Sequence, residues 1–384
     1  MILPSPCKSC ITKSNFHVLF ISDSFLSREI DNLGEGDWVK FNVGQYGYYR
    51  VMYPEDDWIR FADVLQNNVS VFSSSDRTSL INDAFALAAS GRLKYSQALN
   101  LTLYLGSKER CSSSWQTAFL AIDNMADILY FNPIYAKLVS YLSDLLKKPY
   151  EELGWSFQSQ DSLEQIKLRT LILKKMCTYG SDASAKAGEM LLDWKNTGNK
   201  IDPNLREVVY RFGMKKVGDM GVWKWMLEKY RNESNAQEKQ KLLLGLTSVS
   251  EPWILSHFLY LAEDSRYFLL HHLFTFFKIA SFTLFICSIV RSQDYFILLT
   301  YMAWNPVGQS IVWDYVRENW PKLVDRFTLN DRYMGKMISD ITKKFSSSTR
   351  LEEMKAFFAK YPNAGNVSTM YQKYLYLIHF LTSL

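Results

Sequence analysis

Histidine and cysteine are both scarce in this 384-residue chain, at five residues each, and the scarcity excludes several kinds of chemistry. His17, His257, His271, His272 and His379 never fall into H-E-x-x-H, the spacing that lets one helix offer two imidazoles and a general-base glutamate to zinc. His271 and His272 are adjacent, about 100° apart around a helix, so they do not share an ion as an i, i+4 pair does. Cys7-Lys-Ser-Cys10 has ligand-like spacing. No second pair completes a zinc shell, however, and no βαβ setting supports a redox motif, so two incidental thiols is the ordinary reading.

Charge of one sign is also missing. Lys and Arg number 44 against 39 Asp and Glu, a net +5, and no basic run is interleaved with aromatics, so the footprint of a nucleic-acid partner is absent. There is no G-x-S-x-G elbow, phosphate-binding loop or dinucleotide fingerprint. The carboxylate pairs Glu151-Glu152 and Glu352-Glu353 sit in polar helical stretches, where a solvated face is the ordinary reading. Met1-Ile-Leu-Pro-Ser-Pro-Cys7 lacks the basic-then-apolar pattern of a secretory signal. Sequons at Asn68, Asn100, Asn232 and Asn366 tilt the other way, toward a secretory route. By its residues alone the chain reads as a helical scaffold with no catalytic, metal or cofactor site of its own.

What is present is a large apolar content, 48% hydrophobic and 15% aromatic. "WVKFNVGQYGYYRVMY", Trp38 to Tyr53, alternates apolar and polar residues about a Gly-Gln-Tyr-Gly break and reads as a β-ribbon. Helical periodicity then takes over. In "SSSDRTSLINDAFALAASG", Ser75 or Asp76 is a candidate N-cap. Leu80, Ile81, Ala84, Phe85 and Ala88 share one face, and Gly91 offers a left-handed stop. Trp115, Ala118, Phe119, Ile122 and Met125 make a second stripe, and Pro133 opens a third helix. Further amphipathic segments are expected near 162–179, 182–196, 202–215, 218–231, 235–248, 251–263, 309–326 and 350–360. Paired helices with short loops predict a mainly α chain, a HEAT-like α-solenoid preceded by the short β-ribbon, with an irregular bundle as the alternative.

Tyr267 to Val290, "YFLLHHLFTFFKIASFTLFICSIV", is the most apolar window and has the length of a membrane span. His271, His272 and Lys278 interrupt it, and a central Lys alone costs about 2.5–3.5 kcal/mol on insertion. Periodicity gives this segment no assignment; a membrane-anchored helical protein is one reading of it.

The ribbon, taken with "FSSSDRTSLINDAFALAASGRLKYSQALNLTLYL", carries a resemblance. So, in order, do "ELGW", "NLREVVYRFGM", "AQEKQKLLLGLTSV", "VRSQDYFILLTYMAWNPVGQSIVWDYVRENW", "LVDRFTLNDRYMGKMI" and "STRLEEMKAFFAKYPNAG". The chain resembles the gluzincin zinc aminopeptidases, and most of all their glutamyl-aminopeptidase branch, collinearly over about residues 38–365. The resemblance implies a remnant of a truncated β-sandwich domain over 1–54. It implies a C-terminal HEAT-like helical domain over 55–365, interrupted by an apolar insert at 268–289 that looks like translated non-coding sequence. The tail, 366–384, diverges from the family.

The family's zinc site and substrate-amine motif lie in a catalytic domain that this sequence lacks. The resemblance therefore implies no catalytic and no metal-binding residue here, and no cofactor in this chain. Zinc, and calcium beside it, belong to the full-length enzyme. One substrate-binding residue carries over: Arg332, in Thr328-Leu329-Asn330-Asp331-Arg332. In the family an arginine of this stretch reaches the pocket for the substrate's N-terminal acidic side chain, and a guanidinium offers a carboxylate a planar fork of donors. Arg326 is the alternative pocket residue; Arg206 and Arg211 read as structural. The implied partners are a peptide substrate in the whole enzyme and a catalytic aminopeptidase domain or a second copy. The implied location is the extracellular face of the plasma membrane. The competing reading is a free-standing helical scaffold that binds a peptide or protein.

Overall fold

The computed structural model describes residues 11–12, 38–180, 182–263, 289–327, 332–345 and 347–364, with backbone alone at 11, 12, 332, 333 and 335. They fall within two compact units, one drawn from Met1–Ala126 and Ile134–Tyr179, the other from Asp127–Pro133 and Gly180–Leu384. The fold is mainly α, as the periodicity predicts. Tyr267–Val290 lies outside the described residues up to 288, as does everything from 365 onward. Among the described residues no helix is long and apolar enough to cross a membrane.

The first unit opens with strand β2 (Val39–Lys40), antiparallel to β1 (Ile11–Thr12), with Ile11 opposite Lys40 and Thr12 opposite Val39. The ribbon expected over Trp38–Tyr53 is strand only at 39–40; after it comes a 3₁₀ turn, Val43–Gln45, and residues 46–53 form no strand. Asn42 is the physical reason. It adopts a left-handed φ of 53°. Its side-chain amide donates to Gly47 O at 2.8 Å and accepts from Gly47 N at 2.8 Å, closing a loop where a ladder would otherwise form.

Helices then follow in succession: α1 (Glu55–Asn67), α2 (Ser74–Ala89), α3 (Tyr95–Leu101), α4 (Leu105–Lys108), α5 (Ser112–Leu129), α6 (Ile134–Leu153) and α7 (Leu163–Tyr179). The N-cap of α2 is Ser73, two residues before the earlier of the two predicted caps, and its hydroxyl accepts from Asp76 N at 3.2 Å. Three consecutive serines leave the choice to packing. The predicted stripe of α2 is buried, and Gly91 takes φ 71° just past its end. Trp38, Tyr53, Trp58, Phe61 and Phe72 form one aromatic core, with ring centroids 4.7 Å apart for Trp38–Phe72 and 4.8 Å for Tyr53–Phe61. The carboxylate of Glu109 is fully buried and takes the Arg77 guanidinium through two bonds of 2.7 and 2.9 Å.

The second unit contains α8 (Asp182–Thr197), α9 (Arg206–Val208), a π turn (Val209–Gly213), α10 (Met214–Val217), α11 (Met220–Asn232), α12 (Ala236–Leu246) and α13 (Pro252–Ala262). After the undescribed stretch come α14 (Tyr295–Trp304), α15 (Pro306–Phe327), α16 (Arg332–Thr342) and α17 (Ser348–Lys360). Asp219, Asn235 and Ser347 cap α11, α12 and α17 by accepting first-turn amides, which explains why those helices begin where they do. The helix predicted over 202–215 is interrupted by the π turn, whose Gly213 lies so close to α8 that a Cβ would sit 2.8 Å from Ala187 O.

Candidate functional site

Arg332 is the first residue of α16, and its side chain lies outside the described residues. α16 packs on α14 and α15, so the groups those two helices present define its surroundings within this unit. Tyr295, at the start of α14, is wholly buried. Its hydroxyl lies 2.7 Å from that of Tyr315 on α15, and Glu263, at the end of α13, is near enough for its charge to act on both phenols. Arg326, in the last turn of α15, lays its guanidinium over Tyr295 at 4.8 Å and over Phe327 at 4.7 Å. Its Nη2 is buried with no hydrogen-bond partner. The rings hold this cation in place by face contact, and among the described residues no carboxylate pairs with it.

The electrostatics exclude proton transfer by these phenols near neutral pH. Burial, then the charge of Glu263, pushes Tyr295 up to about 12, against the Tyr315 hydrogen bond and the Arg326 charge. Tyr315 is pushed up further by burial, by Tyr295 and by Glu263. Both remain neutral phenols that can donate and accept but do not serve as bases. What the cluster can do is fix the end of α15 and the start of α14 beneath α16, and supply a positive, aromatic setting.

The other sequence candidates are dispersed. Arg206 donates to Ile201 O at 3.1 Å and pairs with Glu238 at 3.3 Å, and Glu238 also accepts from Tyr210 Oη at 2.7 Å. Arg211 lies over Phe212 at 5.1 Å. These contacts bind the π-turn region to α12. His257 is exposed on α13, with its ring 6.1 Å from Trp223; the other four histidines, Cys7, Cys10 and Cys287 lie outside the described residues. Among the described residues no three His, Cys, Asp or Glu side chains come together in a way that could hold a metal ion. Glu151 and Glu152 are exposed, and Glu152 pairs with Arg110 at 2.7 Å. Glu353 departs from the solvated reading: it accepts from Trp313 Nε1 at 2.9 Å and from Arg350 at 2.7 Å.

Sequence reasoning misses Tyr295, Tyr315 and Glu263. Each tyrosine stands in an apolar stripe, where its ring reads as core, and nothing local shows that two hydroxyls and a carboxylate from three helices will meet.

Comparison with known proteins places these elements in context. Residues 38–373 match the model of the ERAP1-like C-terminal domain. The chain is similar to aminopeptidase A of Gloydius brevicauda, 37% identical over 336 residues that cover 87% of this chain and 32% of that protein. It is also similar to the glutamyl aminopeptidases of Rattus norvegicus (35% identical, 87% and 33% covered) and Homo sapiens (34% identical, 85% and 32% covered). The chain therefore spans about a third of the length of the curated relatives it matches.

Proposed function

The chain belongs to the ERAP1-like C-terminal domain family, and from that premise we propose that it is the C-terminal part of a zinc aminopeptidase that removes acidic N-terminal residues from peptides. The observation that carries this reading is the similarity, 34–37% identity over 85–87% of the chain, to proteins named for that activity. In the whole enzyme the helical units bound the chamber that receives the peptide. Zinc, which would be held by residues of the catalytic domain, would supply Lewis-acid chemistry at the scissile carbonyl. Arg332, at the start of α16, recognises the carboxylate of the substrate's first side chain, for which calcium would be a second cationic partner. Arg326 stays stacked on Tyr295 and keeps the preceding helix end in place.

Alone, the chain releases no N-terminal glutamate. The test has two arms. The purified chain with added zinc is assayed on a chromogenic glutamyl amide, and turnover would overturn the reading. Residues 38–364 are also exchanged into rat glutamyl aminopeptidase, with and without Arg332→Ala. Loss of preference for acidic over neutral amides in the variant, with neutral-substrate turnover retained, is expected. An unchanged preference removes Arg332 from the pocket.

A further inference from the structure

Two buried carboxylates on one face of α2 grip the segment that leads into the helical unit. Asp76 and Asp83 are seven residues apart, two helical turns, so they stand about 10 Å from one another along the same face. Asp76 takes the Lys40 ammonium at 2.8 Å and the Gly44 N–H at 2.8 Å. Asp83 takes the Arg50 guanidinium at 3.1 Å and the Val51 N–H at 3.1 Å. Each carboxylate thus binds one cation and one backbone amide of the same incoming stretch. Between the two fastenings Asn42 closes the loop on Gly47, and Phe41 N donates to Tyr53 Oη at 2.9 Å. A segment with so little regular structure would ordinarily be a flexible linker. This one is held at both ends and, through Asn42, at Gly47.

We propose that Asp76 and Asp83 are the two posts of a strap that makes residues 39–51 part of the first helical unit. β2 is carried rigidly by α2, and the loop bearing the exposed Tyr46 and Tyr48 is presented in one fixed orientation. The inference rests on these contacts alone and does not depend on the peptidase role.

Hydrogen exchange of the full 384-residue chain tests it. The Gly44 and Val51 amides should exchange within about 10-fold of interior α2 amides such as Ile81, because they open with the same unit. Exchange about 100-fold faster than α2 would overturn the strap. Asp83→Asn removes one post while keeping an oxygen for Val51, so the chain stays folded. It should speed Val51 exchange about 10-fold and leave Gly44 unchanged. Limited trypsin digestion gives an independent reading: cleavage after Arg50 should be slow in the native chain and faster in Asp83→Asn. Equal rates in the two chains would overturn the proposal.

Discussion

The Lys40 ammonium lies 2.8 Å from the Asp76 carboxylate, and both side chains are all but excluded from water, at 1% and 2% exposure. Lys40 also donates to Phe41 O at 3.0 Å, and Asp76 accepts from Gly44 N and Ser73 Oγ. A desolvated pair of this kind holds only when the remaining donors and acceptors are met, and here they are.

Removing one partner alone should therefore be costly. Asp76→Asn is expected to destabilise the first unit by about 3–5 kcal/mol, because it leaves a buried ammonium unpaired. Lys40→Met combined with Asp76→Leu should recover most of that loss. Urea unfolding followed by tryptophan fluorescence measures both variants, and equal losses in the single and double variants would refute the pairing.

The two posts on α2 should respond to acid in opposite senses. For Asp76, burial opposes ionisation, but the hydrogen bonds from Lys40 and Ser73 and the Lys40 charge hold the carboxyl below its ordinary 3.8. Its contribution is present above 3.8 and is lost as pH falls through the lowered value. Glu109, likewise buried but bound by Arg77 and the Cys111 amide, sits below its ordinary 4.5 and follows the same sign. Asp83 is raised because burial outweighs Val51 N–H and Arg50. Its ionised form costs stability at neutral pH, and that cost is relieved as pH falls from above its raised value toward 3.8. Wild-type minus Asp83→Asn stability, measured against pH, should rise on acidification over that window. A falling difference would reverse the assignment.

Arg77 and Glu109 offer a test of geometry. Arg77→Lys keeps the charge but cannot make two parallel bonds to Glu109, nor hold Phe72 O at 2.7 Å as well. A loss of about 1.5–3 kcal/mol is expected by denaturant unfolding. A change under about 0.5 kcal/mol would mean that charge alone is sufficient.

Beneath α16, Tyr315→Phe deletes the 2.7 Å hydroxyl contact with Tyr295. About 1–3 kcal/mol should be lost, since a buried hydroxyl is left with fewer partners. Arg326→Met keeps the stem packed on Tyr295 and removes the cation over the rings, costing about 0.5–2 kcal/mol. Thermal unfolding of the two variants checks both. If Arg326→Met were more stable than the parent, the unpaired Nη2 would be a net burden that the rings do not offset.

The apolar stripes were legible residue by residue. Leu80, Ile81, Ala84, Phe85 and Ala88 are buried as their spacing requires, as are Trp115, Ala118, Phe119, Ile122 and Met125. A helix of period 3.6 puts such residues on one side whatever surrounds it. The end of α2 at Gly91 was legible for the same local reason. The second half of the Trp38–Tyr53 stretch was not, because alternation specifies a strand only if a partner edge is present, and Asn42 closes the chain on itself first. Burial of Asp76, Asp83 and Glu109 left no mark in the sequence either. The cations they bind lie 32 or more residues away, in segments whose approach is fixed by other packing.

By itself the sequence determined a mainly α chain and the faces its helices bury. It also carried the collinear likeness that marks its family, since periodicity, caps and family motifs are all written in neighbouring residues. Tertiary structure alone decided which carboxylates leave water, that the incoming segment is fastened to α2 at two points, and that Arg326 rests on the Tyr295 and Phe327 rings. Each of those depends on groups distant in the chain arriving at one place, where the cost of burying a charge is met by whatever has already packed there.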